Sequence, residues 1–153
     1  MNKVVIASDH GGFALKLEVI KHLKSKNIAV EDVGTHNEES CDYPDIAGLL
    51  CKKITNGEYE RGILICGTGI GISIAANKHK GIYCAVVHDH FTAKMCVRHN
   101  NANVIAFGGR VIGIEIAKEI VDVFISEEFE SGRHNRRVNK IKEIEKNQES
   151  IKN

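Results

Sequence analysis

Cys66 is followed directly by Gly67-Thr68-Gly69-Ile70-Gly71, at the boundary between a β-branched run and a helical one. Glycines there leave backbone N–H groups unhindered at a helix N-terminus, which suits an anion or an oxyanion that develops during reaction. The run is not a dinucleotide fingerprint, because Ile72 stands where the last glycine belongs, and it lacks the Gly-Lys-Ser/Thr ending of a P-loop. A tight strand-to-helix turn would also call for glycine, although one turn needs fewer than three. The Cys66 thiol sits where a helix's positive end can act on it, as a nucleophile or a general base would require. Free cysteine is equally a common small buried hydrophobe, and Cys51, Cys84 and Cys96 have no such setting. Asp9-His10 offers an acid–base or sugar-hydroxyl pair, set against simple helix capping by Asp9. His88-x-His90 has the spacing of a metal pair but no third ligand at a recognisable distance in sequence. A solvated or hydrogen-bonded pair is the better reading, and no metal ligand is assigned. Arg133 and Arg137 are four apart on one helix face and can clamp a phosphate, or can belong to a solvated basic run with His134 and Arg136.

The elements that must position these residues are short. Val4-Val5-Ile6-Ala7, Ile28-Ala29-Val30, Ile63-Leu64-Ile65-Cys66, Tyr83-Cys84-Ala85-Val86-Val87 and Val104-Ile105-Ala106-Phe107 are β-branched runs separated by amphipathic stretches. The spacing of Phe13, Leu15, Leu17, Val19, Ile20 and Leu23 predicts a helix broken at Ser25 to Asn27. Further helices are expected over 45–56, 69–78, 90–98 and 113–126. Strands alternating with helices predict an α/β chain: a three-layer Rossmann-like fold with a five-stranded parallel sheet. A last helix from Arg133 carries a narrow stripe of Val138, Ile141 and Ile144, with a tail expected to fray beyond Lys146.

In such a sheet ligands bind outside the carboxyl ends of the strands. Asp9-His10, Gly34-Thr35-His36, the Cys66 loop and His88-Asp89-His90 all follow strands. The helix after the fourth strand must run back, about 15 Å for ten residues, and leaves His99-Asn100 on the opposite rim. Arg133 follows another returning helix. If these residues serve the Cys66 site, a neighbouring subunit in a two-fold dimer is the simplest way to bring them there.

The chain has 153 residues, 42% of them apolar, which bounds it to one domain spanning 1–153. Twenty-one Lys and Arg against 20 Asp and Glu leave no global field for nucleic acid or anionic lipid. The charge-free stretch from Gly62 to Ala76 is too short and too broken by glycine to span a membrane. Five cysteines without a C-x-x-C pair suggest reduced thiols, and the first residues lack a signal-peptide layout, so a cytoplasmic protein is expected.

Taken together, several segments resemble ribose-5-phosphate isomerases of the B type, in the sugar-phosphate isomerase group that includes galactose-6-phosphate isomerase. They are Ser8-Asp9-His10-Gly11-Gly12, Asp42-Tyr43-Pro44, Gly62 to Ser73, Ala75 to Lys78, Arg98 to Val104, Gly108-Gly109-Arg110 and Gly132-Arg133-His134. The resemblance implies reversible aldose–ketose isomerisation of ribose 5-phosphate and ribulose 5-phosphate through an enediolate, in the non-oxidative pentose phosphate pathway, without cofactor. It implies Cys66 as the base, the five amides from Gly67 through Thr68, Gly69 and Ile70 to Gly71 on the enediolate oxygen, and Thr68 orienting substrate or proton. Tyr43 would line the sugar pocket, Asp9 would hold a hydroxyl, and His99 would act as acid in ring opening. His10, Asn100, Arg110, Arg133 and Arg137 would contact substrate or phosphate. The sites would be shared between chains of a homodimer or a dimer of dimers. Some members of the group place a carboxylate where this chain has Cys66. A hexose 6-phosphate such as allose or galactose 6-phosphate stands as an alternative substrate, and a non-catalytic phosphate-binding module as an alternative class.

Overall fold

Alternation within the β-branched runs decides the layers. In Val4-Val5-Ile6-Ala7, Val4 and Ile6 enter one apolar cluster and Val5 and Ala7 another, and all four are fully buried. A strand buried on both faces needs helices on both sides. The computed structural model describes residues 3–151, so the ends of the expected 1–153 domain, residues 1–2 and 152–153, lie outside it. In chain order the elements are β1 (Lys3–Ser8), α1 (Phe13–Ser25), β2 (Ala29–Asp32), α2 (Tyr43–Thr55), β3 (Gly62–Cys66), α3 (Ile70–Asn77), β4 (Cys84–Val86), α4 (His90–Asn100), β5 (Val104–Gly108), α5 (Ile114–Ser126) and α6 (Arg133–Ser150). The strands form one parallel sheet in the order β2-β1-β3-β5-β4.

Helices α1, α4 and α5 cover one face, packing Val19, Leu23, Val97, Ile120 and Phe124 on Ile6, Ile63, Ile105 and Phe107. On the other, α2 and α3 pack Ile46, Leu50, Ile72 and Ala76 on Val5, Leu64 and Val104. This is the expected three-layer Rossmann-like fold. The strand order turns at β1 and β3: the chain first moves outward to β2, then returns to the far side of β1. The crevice of such a sheet opens at the carboxyl ends of the two strands where the order reverses. Asp9 follows β1 and Cys66 ends β3, so the fold puts both at that point.

Several boundaries differ from the sequence reading: α2 starts at Tyr43 instead of 45, α4 runs on to Asn100, and three further elements shift more visibly. Strand β2 is shifted to Ala29–Asp32, with Ile28 packed against the core beneath it, and β4 shrinks to Cys84–Val86 because it is an outer edge paired only with β5. Helix α6 continues past Lys146 to Ser150 instead of fraying. Its far end is tied down by Glu145, which accepts from Gly81 N at 2.8 Å, and by Glu149, 2.9 Å from the Lys80 ammonium. The expected stripe is only partly used: Val138 is buried, whereas Ile141 and Ile144 remain exposed.

Candidate active site

At the end of β3 the backbone turns sharply. Gly69 has φ +79, and a Cβ there would meet the Phe107 backbone at 2.8 Å, so this turn admits glycine alone without displacement. The turn points the Gly69 N–H at Cys66 Sγ, 3.0 Å away. The Ile70 N–H donates to Thr68 Oγ1 at 3.2 Å. Two of the five loop amides expected to face an oxyanion are therefore engaged within the loop. Gly67, Thr68 and Gly71 N–H have no acceptor among the described residues and are the ones available to a ligand. The loop is braced from β5, where Gly109 N donates to Cys66 O at 2.8 Å and Arg110 N to Gly67 O at 3.1 Å. His88 Nε2 accepts from Gly108 N at 3.1 Å, so the His88 ring supports this brace. Its neighbour in the suspected metal pair, His90, turns instead to Glu119 at 2.9 Å.

Around the loop the expected pocket residues gather. A Cβ on Gly71 would lie 2.7 Å from the Tyr43 ring, and one on Gly67 would lie 3.0 Å from Arg110 Nη1, so both side chains overhang the loop. Asp9 is buried; its Oδ1 accepts from Gly12 N at 3.2 Å, so it does cap the turn into α1 while Gly12 holds the formal N-cap position. His10 Nδ1 accepts from Cys41 N at 3.3 Å, which leaves the ring proton on Nε2. Among the cysteines, burial pushes the Cys51 and Cys96 thiols up to about 11 and moves Cys84 upward as well. Cys66 is buried too, and what sets it apart is the N–H donor on its sulfur at a strand end.

Lys16, on α1, is the one fully buried ammonium among the described residues. It donates to Asp32 Oδ1 at 2.7 Å and to Thr35 O at 2.5 Å, clamping the segment that leads toward Cys41 and Tyr43. Removing Asp32 would leave a buried ammonium without its counter-charge, which is destabilising.

His99, Asn100, Arg133 and Arg137 are not in this pocket. Gly62 N donates to Asn103 O at 2.9 Å, and Glu130 N to Arg98 O at 3.0 Å, which fixes the end of α4 and the start of α6 at the opposite rim. From Gly62 to Cys66 β3 rises about 13 Å. On that rim the His99 and His134 rings stack with centroids 4.2 Å apart and 11° between planes. Glu130 Oε2 lies 3.7 Å from His99 Nε2 and 3.6 Å from His134 Nε2. Burial, then His99 and Arg133, hold the His134 imidazole below its ordinary value. No metal ligand was assigned from the sequence, yet these three ligand atoms lie within 4.8 Å of one another. The signal was missed because Glu130 lies 31 positions from His99, on a segment with no pattern of its own. Arg133 and Arg137 are exposed on the first turns of α6.

Comparison with known proteins places this arrangement in context. The family described as Ribose/Galactose Isomerase matches residues 4–141. A ribose-5-phosphate isomerase B of Escherichia coli is 46% identical over 145 residues, covering 95% of this chain and 97% of that protein. The structure of ribose-5-phosphate isomerase B from Clostridium thermocellum superposes with a TM-score of 0.93 at 50% identity, over 95% of this chain and 99% of the other. That of the Mycoplasma genitalium protein, with bound ribulose 5-phosphate, gives 0.89 at 43% identity, over 94% and 96%.

Proposed function

The chain belongs to the Ribose/Galactose Isomerase family, and from that premise we propose that it interconverts ribose 5-phosphate and ribulose 5-phosphate. It is an aldose–ketose isomerase. The observation that carries the reading at residue level is the Cys66 thiol on the glycine turn, at the strand-order reversal, overhung by Tyr43 and Arg110.

The chemistry follows from the donors. With the furanose opened, the Cys66 thiolate takes the proton from C2. The electron pair moves into a C1–C2 double bond and the C1 carbonyl oxygen becomes the enediolate oxygen. The Gly67, Thr68 and Gly71 amides meet that charge, a use of fixed donors where charge develops. The C2 hydroxyl then passes its proton to O1, the thiol returns its own to C1, and the electron pair left on O2 closes the C2 ketone, so that O1 ends as a hydroxyl and the sulfur as the thiolate. Thr68 Oγ1 accepts from Ile70 N, and its own O–H remains to donate to a sugar oxygen. Asp9 holds a hydroxyl, and His10 and Arg110 contact substrate. His99 acts as the acid on the ring oxygen, with Asn100, Arg133 and Arg137 on the sugar phosphate.

Because the last four stand on the opposite rim, each site takes them from the neighbouring subunit of a homodimer. Ile70, Ile74, Phe91 and Val111 are exposed around the Cys66 rim, an apolar surface of the kind that subunits cover. The five free cysteines favour a reducing, cytoplasmic setting.

The test is turnover of chelator-treated, reduced protein on ribose 5-phosphate, ribulose 5-phosphate, allose 6-phosphate and galactose 6-phosphate. The pentose pair is expected to be preferred; preference for a hexose phosphate replaces the substrate, and no turnover leaves a binding module. Mixing Cys66→Ala and His99→Asn chains tests the shared site. Read from ribose 5-phosphate, where His99→Asn alone keeps about a tenth of the rate, random dimers should reach about one quarter of wild-type activity, since half are mixed and each has one intact site. No recovery in demonstrated mixed dimers defeats the shared site.

A further inference from the structure

We propose that His99, Glu130 and His134 form a site for one borderline divalent transition-metal ion of the Zn2+ class, and that its occupancy inhibits the isomerase by removing His99 from ring opening. The inhibitory half rests on the function proposed above; the binding half stands on geometry alone. Tetrahedral Zn2+, with bonds of about 2.0–2.2 Å to imidazole nitrogen and carboxylate oxygen, wants its ligand atoms about 3.4 Å apart. Two of the three separations here are 3.7 and 3.6 Å, and the third is within 4.8 Å. The ring planes are nearly parallel, so for both lone pairs to converge on one ion the rings must turn about their terminal side-chain torsions, which are soft and broad.

Each ligand is held from behind. His99 is in the last turn of α4, His134 in the first turn of α6, and Glu130 N is bonded to Arg98 O at 3.0 Å. The Arg98 guanidinium pairs with Glu130 Oε1, which leaves Oε2 to the histidines. An outer partner that orients a ligating carboxylate in this way is characteristic of metal sites. Two imidazoles and one carboxylate are also the donor set of open zinc centres, with a fourth position left to water. Arg98, Arg133 and Arg137 oppose a further positive charge, which puts the affinity below that of a closed structural site.

The experiment titrates reduced, chelator-treated full-length protein with Co2+, read by its visible absorption, and with Zn2+, read by calorimetry. Both directions of isomerisation are followed at each metal concentration. The expected result is one ion per chain, without the near-ultraviolet charge-transfer band of a cobalt–thiolate bond. Inhibition should be stronger from ribose 5-phosphate, which must open a ring, than from ribulose 5-phosphate, which does not. His134→Ala and Glu130→Gln should each weaken binding and raise the half-inhibiting concentration, relative to the variant's own metal-free rate, by at least about tenfold. Affinity weaker than about 100 μM overturns the site. So does a thiolate band, which gives the ion to Cys66, or affinity retained in both variants. Binding that both variants abolish, with wild-type turnover insensitive to it, overturns the inhibitory role. A chain that turns over no sugar phosphate yet shows binding lost in both variants supports the site and defeats the proposed function instead.

Discussion

The two rims of the sheet are built on different principles. At the carboxyl rim the Cys66 loop is shaped by main-chain atoms: a left-handed glycine, an amide on the sulfur, and two amides from β5 gripping the loop's carbonyls. At the amino rim one main-chain bond, from Glu130 N to Arg98 O, joins the segment before α6 to α4, and His99, Glu130 and His134 themselves meet through their side chains. The difference teaches where precision is needed. Proton abstraction tolerates little misplacement, and backbone bonding gives a stiffer frame than paired surface side chains, whose net contribution is small.

The largest expected effect breaks the comparison at its rigid end: Cys66→Ala should lower kcat/KM by about 10³-fold in both directions, measured by steady-state turnover. Retained activity would move the base elsewhere on the rim. Gly69→Ala keeps the thiol and disturbs only the frame. Its Cβ meets the Phe107 backbone at 2.8 Å with φ at +79, so kcat should fall about 10²-fold through misplacement. A normal kcat would show that the turn does not position the thiol. At the soft rim, His99→Asn should cost about tenfold from ribose 5-phosphate and little from ribulose 5-phosphate. Equal losses in the two directions would take ring opening away from His99.

The smallest effect is on stability. The folded His134 imidazole lies below 6.5, chiefly through burial, so on acidification the unfolded chain takes the proton first. Stability from this residue is full above about pH 7 and drains as the pH falls toward the folded value. The thermal midpoint of the wild type should drop more between about pH 7 and pH 5 than that of His134→Asn. Parallel curves would show that this imidazole does not couple the rim to pH.

The same contrast explains what was legible in the sequence. The Cys66 loop, Asp9-His10 and the returning course of α4 follow from local backbone grammar: glycine where φ is positive, polar residues after strands, and helix length against strand length. The positions of Tyr43 and Arg110 above the loop came through resemblance, because no spacing rule connects residues 43, 67 and 110. Glu130 had no signal at all, since its meeting with His99 depends on where α5 ends. The tether that keeps α6 helical to Ser150 escaped notice for the same reason: Lys80 and Gly81 are distant partners. Lys16 was hidden by its type, as a lysine on a helix is ordinarily assigned to solvent.

The grip of Gly109 and Arg110 on the loop has an evolutionary corollary. Main-chain amides are common to every residue but proline, so a lineage can exchange the side chain at position 110 without re-aiming the sulfur. Position 109 is closed to such drift, because a Cβ there would meet Gly11 O at 2.8 Å. Selection for a new substrate and selection for rate therefore act on neighbouring residues through separate mutations, and descendants can change diet without first rebuilding the base.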